Sequence, residues 1–253
     1  QMNELVERSV NPMIEIPSVL LLLSSVQQFD DYTFQHSLNV AVISGILGKW
    51  QGLTGDKLKN LVAAGLLHDI GKLKISENIL TKPGPLSPEE HLLMRRHPVD
   101  GYQMLASAPN VSQEVLLGVL QHHERIDGTG YPMGKMAEKI HLFAKIIAIA
   151  DIYAAMTSDH AYRDRQTPFD AAYIINRDMF QKLDAGLCLT FLEHVRDSLL
   201  GNIVVLSDGR KAKVISAGGT ASISPIVITE ENEILDFKDN PSLKIAQWTN
   251  STE

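Results

Sequence analysis

One cysteine, Cys188, stands in a chain of 253 residues. No intramolecular disulfide can form, so the fold rests on its core and its hydrogen bonds, and the count fits a reducing cytoplasm. Cys188 reads as a small buried apolar residue rather than a nucleophile. Long apolar runs are missing as well. The longest near the start, Val19 to Leu23, falls far short of the roughly 20 residues a membrane-spanning helix needs. No basic region or small-residue cleavage site surrounds it, which argues against a signal peptide. A surplus of positive charge is also absent. A net charge of -7 speaks against a nucleic-acid polymer as partner, while a few basic side chains remain to grip a small phosphate ligand. Internal repeats and low-complexity tracts are not seen. The chain opens with Gln1 rather than Met, from which we expect a fragment of a longer protein.

What is there is ordinary globular composition, 44% hydrophobic and 21% charged, enough for one sizeable core with a small appendage or for two domains. Helix-like spacing runs through residues 3–29, broken at Pro12 and Pro17, and through residues 33–50. Asp56 is placed to cap a helix that continues to His68, Asp69 and Gly71, where a stop is expected. Residues 73–86 read as an irregular loop. Ser87-Pro88-Glu89-Glu90 starts a helix that carries His97, with a kink or break at Pro98. Ser112 and Glu114 open the next, which ends at His122-His123. A nearly all-apolar helix covers residues 138–157, Thr167-Pro168 starts another, and residues 187–199 form the last. From Gly201 the apolar period shortens to two, in Ile203 to Leu206, Lys213 to Ile215 and Ile226 to Ile228. The expected architecture is therefore mainly α: a segment 1–29 leading from an upstream domain, a helical domain 30–200, and a small strand-rich appendage 201–253.

The chemistry gathers around His122-His123-Glu124-Arg125-Ile126-Asp127-Gly128-Thr129-Gly130-Tyr131-Pro132. Gly128 and Gly130 permit positive φ, and Pro132 fixes its own φ and restrains Tyr131, so a tight shaped loop should leave a helix end. Read alone, this could equally be a surface turn behind two solvated histidines. Five of the nine histidines, however, stand beside other chemistry: His36, His68, His97, His122 and His123. Asp69 follows His68, and Asp151 lies inside the apolar helix, where an ionised carboxylate is costly unless paired or metal-bound. A buried Asp–Arg pair is the alternative, but no arginine is obviously placed for it. Imidazoles and carboxylates without thiolates point to a hard or borderline divalent metal such as iron or manganese. Five histidines and two aspartates suit two metals bridged by one carboxylate, with Asp69 the candidate, an arrangement used for phosphoester hydrolysis. His91, His141 and His194 read as polar or surface residues, and His160 is left open.

His68-Asp69 with Gly71-Lys72, the spacing to His97, and the His-His-Glu-Arg-x-Asp-Gly-Thr-Gly-Tyr-Pro loop resemble the HD-GYP subgroup of HD-domain metal-dependent phosphohydrolases, over roughly residues 30–165. The resemblance implies an HD-domain helical bundle, a dinuclear or trinuclear iron-type site, and hydrolysis of cyclic di-GMP to pGpG or GMP by a bridging hydroxide. Position by position, it implies metal ligation by His36, His68, Asp69, His97, His122, His123 and Asp151. It implies a phosphate-binding role for Lys72 and a cleft-shaping role for Tyr131. The chain departs from the pattern at Tyr32, where trinuclear members place a Glu, which argues for two metals. Ala154 and His160 replace an Asp and an Arg, leaving Arg163 as a phosphate contact and His160 as a weaker, pH-dependent one. A sensor module that binds the cyclic dinucleotide and signals to a protein partner through the loop, or an enzyme for another cyclic dinucleotide, are the competing readings.

Overall fold

The computed structural model describes residues 31–157, 167–219, 224–240 and 242–249, with the described helices lying before residue 200 and the described strands after it. The segment 1–29, the Tyr32 side chain, His160 and Arg163 lie outside the described residues. The helices are α1 (Asp31–Trp50), α2 (Gly55–Leu67), α3 (Glu77–Leu80), α4 (Pro88–Met94), α5 (His97–Ala106), α6 (Gln113–Gln121), α7 (Leu142–Thr157), α8 (Pro168–Asp178) and α9 (Ala185–Leu199). Short 3₁₀ turns cover Ile70–Lys74 and Ala137–Lys139. None of the helices is long and apolar enough to cross a membrane.

Local sequence sets several of these starts. Ser87 and Glu90 form a reciprocal capping box at α4, with Pro88 in the first turn. Thr167 and Asp170 repeat the device at α8, and Ser112 caps α6 by accepting the Val115 N–H at 3.3 Å. The break expected near Pro98 falls between Met94 and His97, so Pro98 sits in the first turn of α5, where its missing N–H costs nothing.

Other boundaries differ from what the letters suggest. Extended Thr54, not Asp56, precedes α2, and Asp56 takes the first turn, where its charge faces the helix N-terminus. α2 stops at Leu67, and the HD segment beyond it tightens into the 3₁₀ turn. The loop 73–86 contains the single turn α3. α7 starts at Leu142 instead of residue 138, because extended Ile140 separates it from the preceding turn. α9 starts two residues early because Asp184 accepts the Leu187 N–H at 3.2 Å.

α7 is the buried axis: Phe143, Ile146, Ile147, Ile149 and Ala150 are all 2% exposed or less, and α1, α6 and α8 pack around it. Glycines let neighbouring helices close in. A Cβ on Gly118 of α6 would lie 2.8 Å from the Ala64 Cβ of α2, and one on Gly65 of α2 would lie 3.0 Å from the Ala41 Cα of α1. The sheet is antiparallel in the order β4 (Ile234–Asp236), β3 (Ile226–Thr229), β2 (Lys211–Ser216), β1 (Ile203–Leu206), β5 (Ile245–Thr249). Its period-two pattern buries Val204, Leu206, Ala212, Val214 and Val227 in one contiguous cluster with Leu192, Val195 and Leu199 of α9. The strands thus complete the helical core.

Candidate metal centre

Most of the predicted ligands come from helix ends, and two from within helices. His68 follows the last residue of α2, His97 opens α5, His122 follows the last residue of α6, and His36 and Asp151 lie on α1 and α7. Three of the imidazoles are set by one device. His68 Nδ1 lies 2.7 Å from the Gly65 carbonyl, His97 Nδ1 2.8 Å from the Met94 carbonyl, and His122 Nδ1 2.7 Å from the Val119 carbonyl. Each acceptor is among the last four carbonyls of a helix, which have no intrahelical donor. A carbonyl can only accept, so Nδ1 carries the proton and Nε2 of the neutral ring presents a lone pair to the centre.

Two sets of potential ligand atoms converge: Asp69, His97, His122 and His123, and His36, His68 and Asp69. Asp69 belongs to both. Its Oδ1 is 3.2 Å from His97 Nε2 and 4.0 Å from His122 Nε2, while Oδ2 is 3.2 Å from His68 Nε2 and 2.6 Å from Lys72 Nζ. Asp151 Oδ1 lies 3.0 Å from His36 Nε2 and 3.9 Å from His68 Nε2. No arginine pairs with it among the described residues, so the Asp–Arg alternative finds no support there.

This donor set fits divalent cations. His97 Nε2 and His122 Nε2 face each other at 3.2 Å, and in the tautomers just assigned both are acceptors, an arrangement a cation relieves. His68 Nε2 is buried without a hydrogen-bond partner. Burial holds His97 below the ordinary imidazole range and His122 well below it, and it lowers His123 to about 3. Burial works to lower His68 too, but the Asp69 carboxylate beside it raises it overall. Burial alone would raise Asp69; His68 and Lys72 outweigh it and hold that carboxyl well below its usual range. Asp151 is likewise lowered against burial, by the hydrogen bond from His36. Two carboxylates held in the ionised form thus lie among imidazoles, three of which burial keeps below their ordinary range.

Gly71 and the loop after His123 hold the site together from outside. A Cβ on Gly71 would lie 2.0 Å from the His97 carbonyl oxygen and 2.6 Å from Gly101 N, so only glycine lets the HD turn touch α5. In the loop, Gly128 has φ +79° as expected. Gly130 does not adopt positive φ; it is needed because a Cβ there would lie 2.3 Å from Arg125 N. The Glu124 carboxylate, 3% exposed, accepts the Met133 and Lys135 N–H groups at 2.8 and 2.9 Å. The Tyr131–Pro132 peptide is cis, and the Tyr131 ring stacks on His123 with centroids 4.6 Å apart.

Sequence reasoning assigned no role to Glu124, to Gln121, whose side chain accepts the His141 N–H at 2.8 Å, or to Arg95, whose guanidinium lies over the Tyr131 ring. The Glu124 signal was a lone acid directly after paired histidines; Arg95 carried none. His91 and His194 are exposed, and His194 stacks on Trp50 away from the centre. Half-buried His141 accepts the Phe143 N–H.

A helical bundle whose helices bring a His/Asp cluster together, in groups that could hold a metal ion, defines a class of protein. A family model described as HD domain matches residues 19–187. A cyclic di-GMP phosphodiesterase of Pseudomonas aeruginosa is 36% identical over 227 residues, 89% of this chain and 54% of that protein. A 3'3'-cGAMP-specific phosphodiesterase of Vibrio cholerae is 42% identical over 150 residues, 59% of this chain and 35% of that protein. Among solved structures, an HDG"Y"P protein from Bdellovibrio bacteriovorus matches with a TM-score of 0.54 at 25% identity, over 70% of this chain and 56% of that one. The chain spans about half the length of the curated relatives it matches. It belongs to the HD-domain family and, within it, to the HD-GYP subgroup.

Proposed function

We propose that this chain is a metal-dependent phosphodiesterase that hydrolyses cyclic di-GMP to pGpG, GMP or both. The observation that carries the reading is the sharing of Asp69 between two convergent ligand sets, as a carboxylate serving two cations must be shared. His97, His122 and His123 would hold one cation with Asp69, and His36, His68 and Asp151 the other. Bound there, divalent cations supply Lewis acidity toward a phosphodiester and lower the pKa of water. We assign iron, with manganese as the alternative, on the imidazole and carboxylate donors.

Lys72, held on Asp69, places a positive charge at the rim where a phosphate would enter. Tyr131 shapes the cleft, and His160 and Arg163 are assigned as further substrate contacts. We assign catalysis to the helical domain 30–200, with residues 201–253 in a supporting role and the reaction in the cytoplasm. Met133 and Met136, exposed on the loop after His123, are the surface we propose for a protein partner.

The test is hydrolysis by purified protein loaded anaerobically with iron or manganese, with products and metal content read together. Two metals per chain and release of pGpG or GMP are expected. A fully loaded protein that binds cyclic di-GMP and leaves it intact supports the sensor reading instead. The similarity to a 3'3'-cGAMP-specific relative favours a second substrate reading, and the same assay with 3'3'-cGAMP decides between them.

A further inference from the structure

Arg95 stands beside the centre with no part in the reaction as proposed. It follows the last residue of α4, two positions before His97, and is exposed. Its guanidinium carbon lies 4.5 Å from the centroid of the Tyr131 ring. The same ring stacks on His123 at 4.6 Å and 28°. Tyr131 thus touches both the potential ligand His123 and the guanidinium of Arg95.

This packing has two consequences. Packed against both His123 and Arg95, the Tyr131 ring acts as a spacer between them. The guanidinium is held in place by the ring face without being neutralised, since a cation–π contact leaves the charge and the forked N–H donors available. Among the described residues, two neighbouring cations are engaged: Lys72 with Asp69, and Arg125 through its Nη1 with the His122 and Glu124 carbonyls. Arg95 makes no ion pair among the described residues.

A cyclic dinucleotide carries two phosphodiesters, each with one negative charge. Only one can be attacked at the metal centre at a time, and the other must leave the centre still charged. We propose that Arg95 is a substrate-binding residue that holds this second, non-reacting phosphate, with Tyr131 setting its distance from the centre. This inference rests on the phosphodiesterase reading and deepens it. Binding a remote phosphate should aid substrate capture and leave the chemical step nearly unchanged.

The experiment compares wild type, Arg95→Ala and Arg95→Lys as metal-loaded proteins of equal metal content. One arm measures kcat and KM for cyclic di-GMP across a salt series. The other measures by calorimetry the Kd for a slowly hydrolysed phosphorothioate analogue. Loss of one charge-assisted contact predicts a rise of about tenfold in both KM and Kd for Arg95→Ala, with kcat nearly kept. The salt dependence of KM should become shallower, and Arg95→Lys should recover part of the affinity because it restores the charge without the fork. Unchanged KM and Kd in Arg95→Ala overturn the inference, as does an equal loss in both variants with the salt slope intact, which marks Arg95 as mere packing for Tyr131. A wild-type protein that neither binds nor hydrolyses the cyclic dinucleotide overturns the reading and the inference together; a wild type that does both, with Arg95→Ala indistinguishable from it, overturns the inference alone.

Discussion

Replacing Gly71 by alanine should loosen the metal centre without touching a ligand. The added Cβ would lie 2.0 Å from the His97 carbonyl oxygen, 2.6 Å from Gly101 N and 2.8 Å from the His97 carbonyl carbon. All three are backbone atoms, which cannot rotate aside as a side chain can. Cβ contacts under 3.0 Å are essentially never seen, so the HD turn and α5 must part by about 1 Å. Asp69 moves with the turn and His97 with α5, and their 3.2 Å approach opens. Metal sites hold their ligand distances to about 0.2 Å, so a displacement of this size separates one ligand from the rest.

The overpacking itself should cost about 1–3 kcal/mol. For a chain of this size that is roughly 2–4 °C of melting temperature per kcal/mol. Metal affinity should fall by about 10–100-fold, as when the support of a ligand is removed. The assay is metal content after passage over a chelating resin, with thermal melting of the same samples. Gly128→Ala is the comparison. Its φ of +79° makes it strained as well, yet its nearest neighbour, the Gly134 carbonyl oxygen at 3.4 Å, lies in the loop. It should lose stability while keeping metal. Gly71→Ala with full metal occupancy and an unshifted melt would refute the reasoning.

Asp69→Ala should lose most bound metal and all turnover, since it removes the one carboxylate in both ligand sets; retention of two metals on elemental analysis would end the bridging assignment. The chelator-treated protein should melt at progressively lower temperature as pH falls below about 6.5, the unfolded imidazole value. Burial lowers His97, His122 and His123 in the fold, the last to about 3, so the unfolded chain binds more protons over that window; His68, raised by Asp69, works the other way but alone. A flat melting profile between pH 7.5 and 4.5 contradicts this assignment. Glu124→Gln should cost about 1–3 kcal/mol, because one of two backbone N–H groups then faces an amide donor. Faster hydrogen exchange at Met133 and Lys135 is the expected sign, and unchanged protection there tells against the clamp.

Local features are legible in the residue order alone. Caps at Ser87, Ser112 and Thr167, the break ahead of Pro98 and the period-two strands beyond Gly201 appear where residue types place them. These signals act within a turn or two of chain, through φ/ψ limits and side chain to backbone bonds, so they can be read in one dimension. The histidines and aspartates announce a metal centre for a similar reason: an ionised group on an apolar helix needs a counter-charge wherever the chain goes.

Where the chain approaches itself, the letters are ambiguous. Gly71 looks like a helix stop and Gly130 a source of positive φ, yet both are glycine because another backbone occupies the space of a Cβ. The Nδ1 partners of His68, His97 and His122 are helix-end carbonyls, a group every residue has, and no side-chain code marks them. The position of Arg95 over Tyr131 and the burial of the strands against α9 depend on residues far apart in sequence. Periodicity reports which face of an element is apolar and leaves open which partner covers it; that is settled when the elements pack, because only then do distance and excluded volume apply.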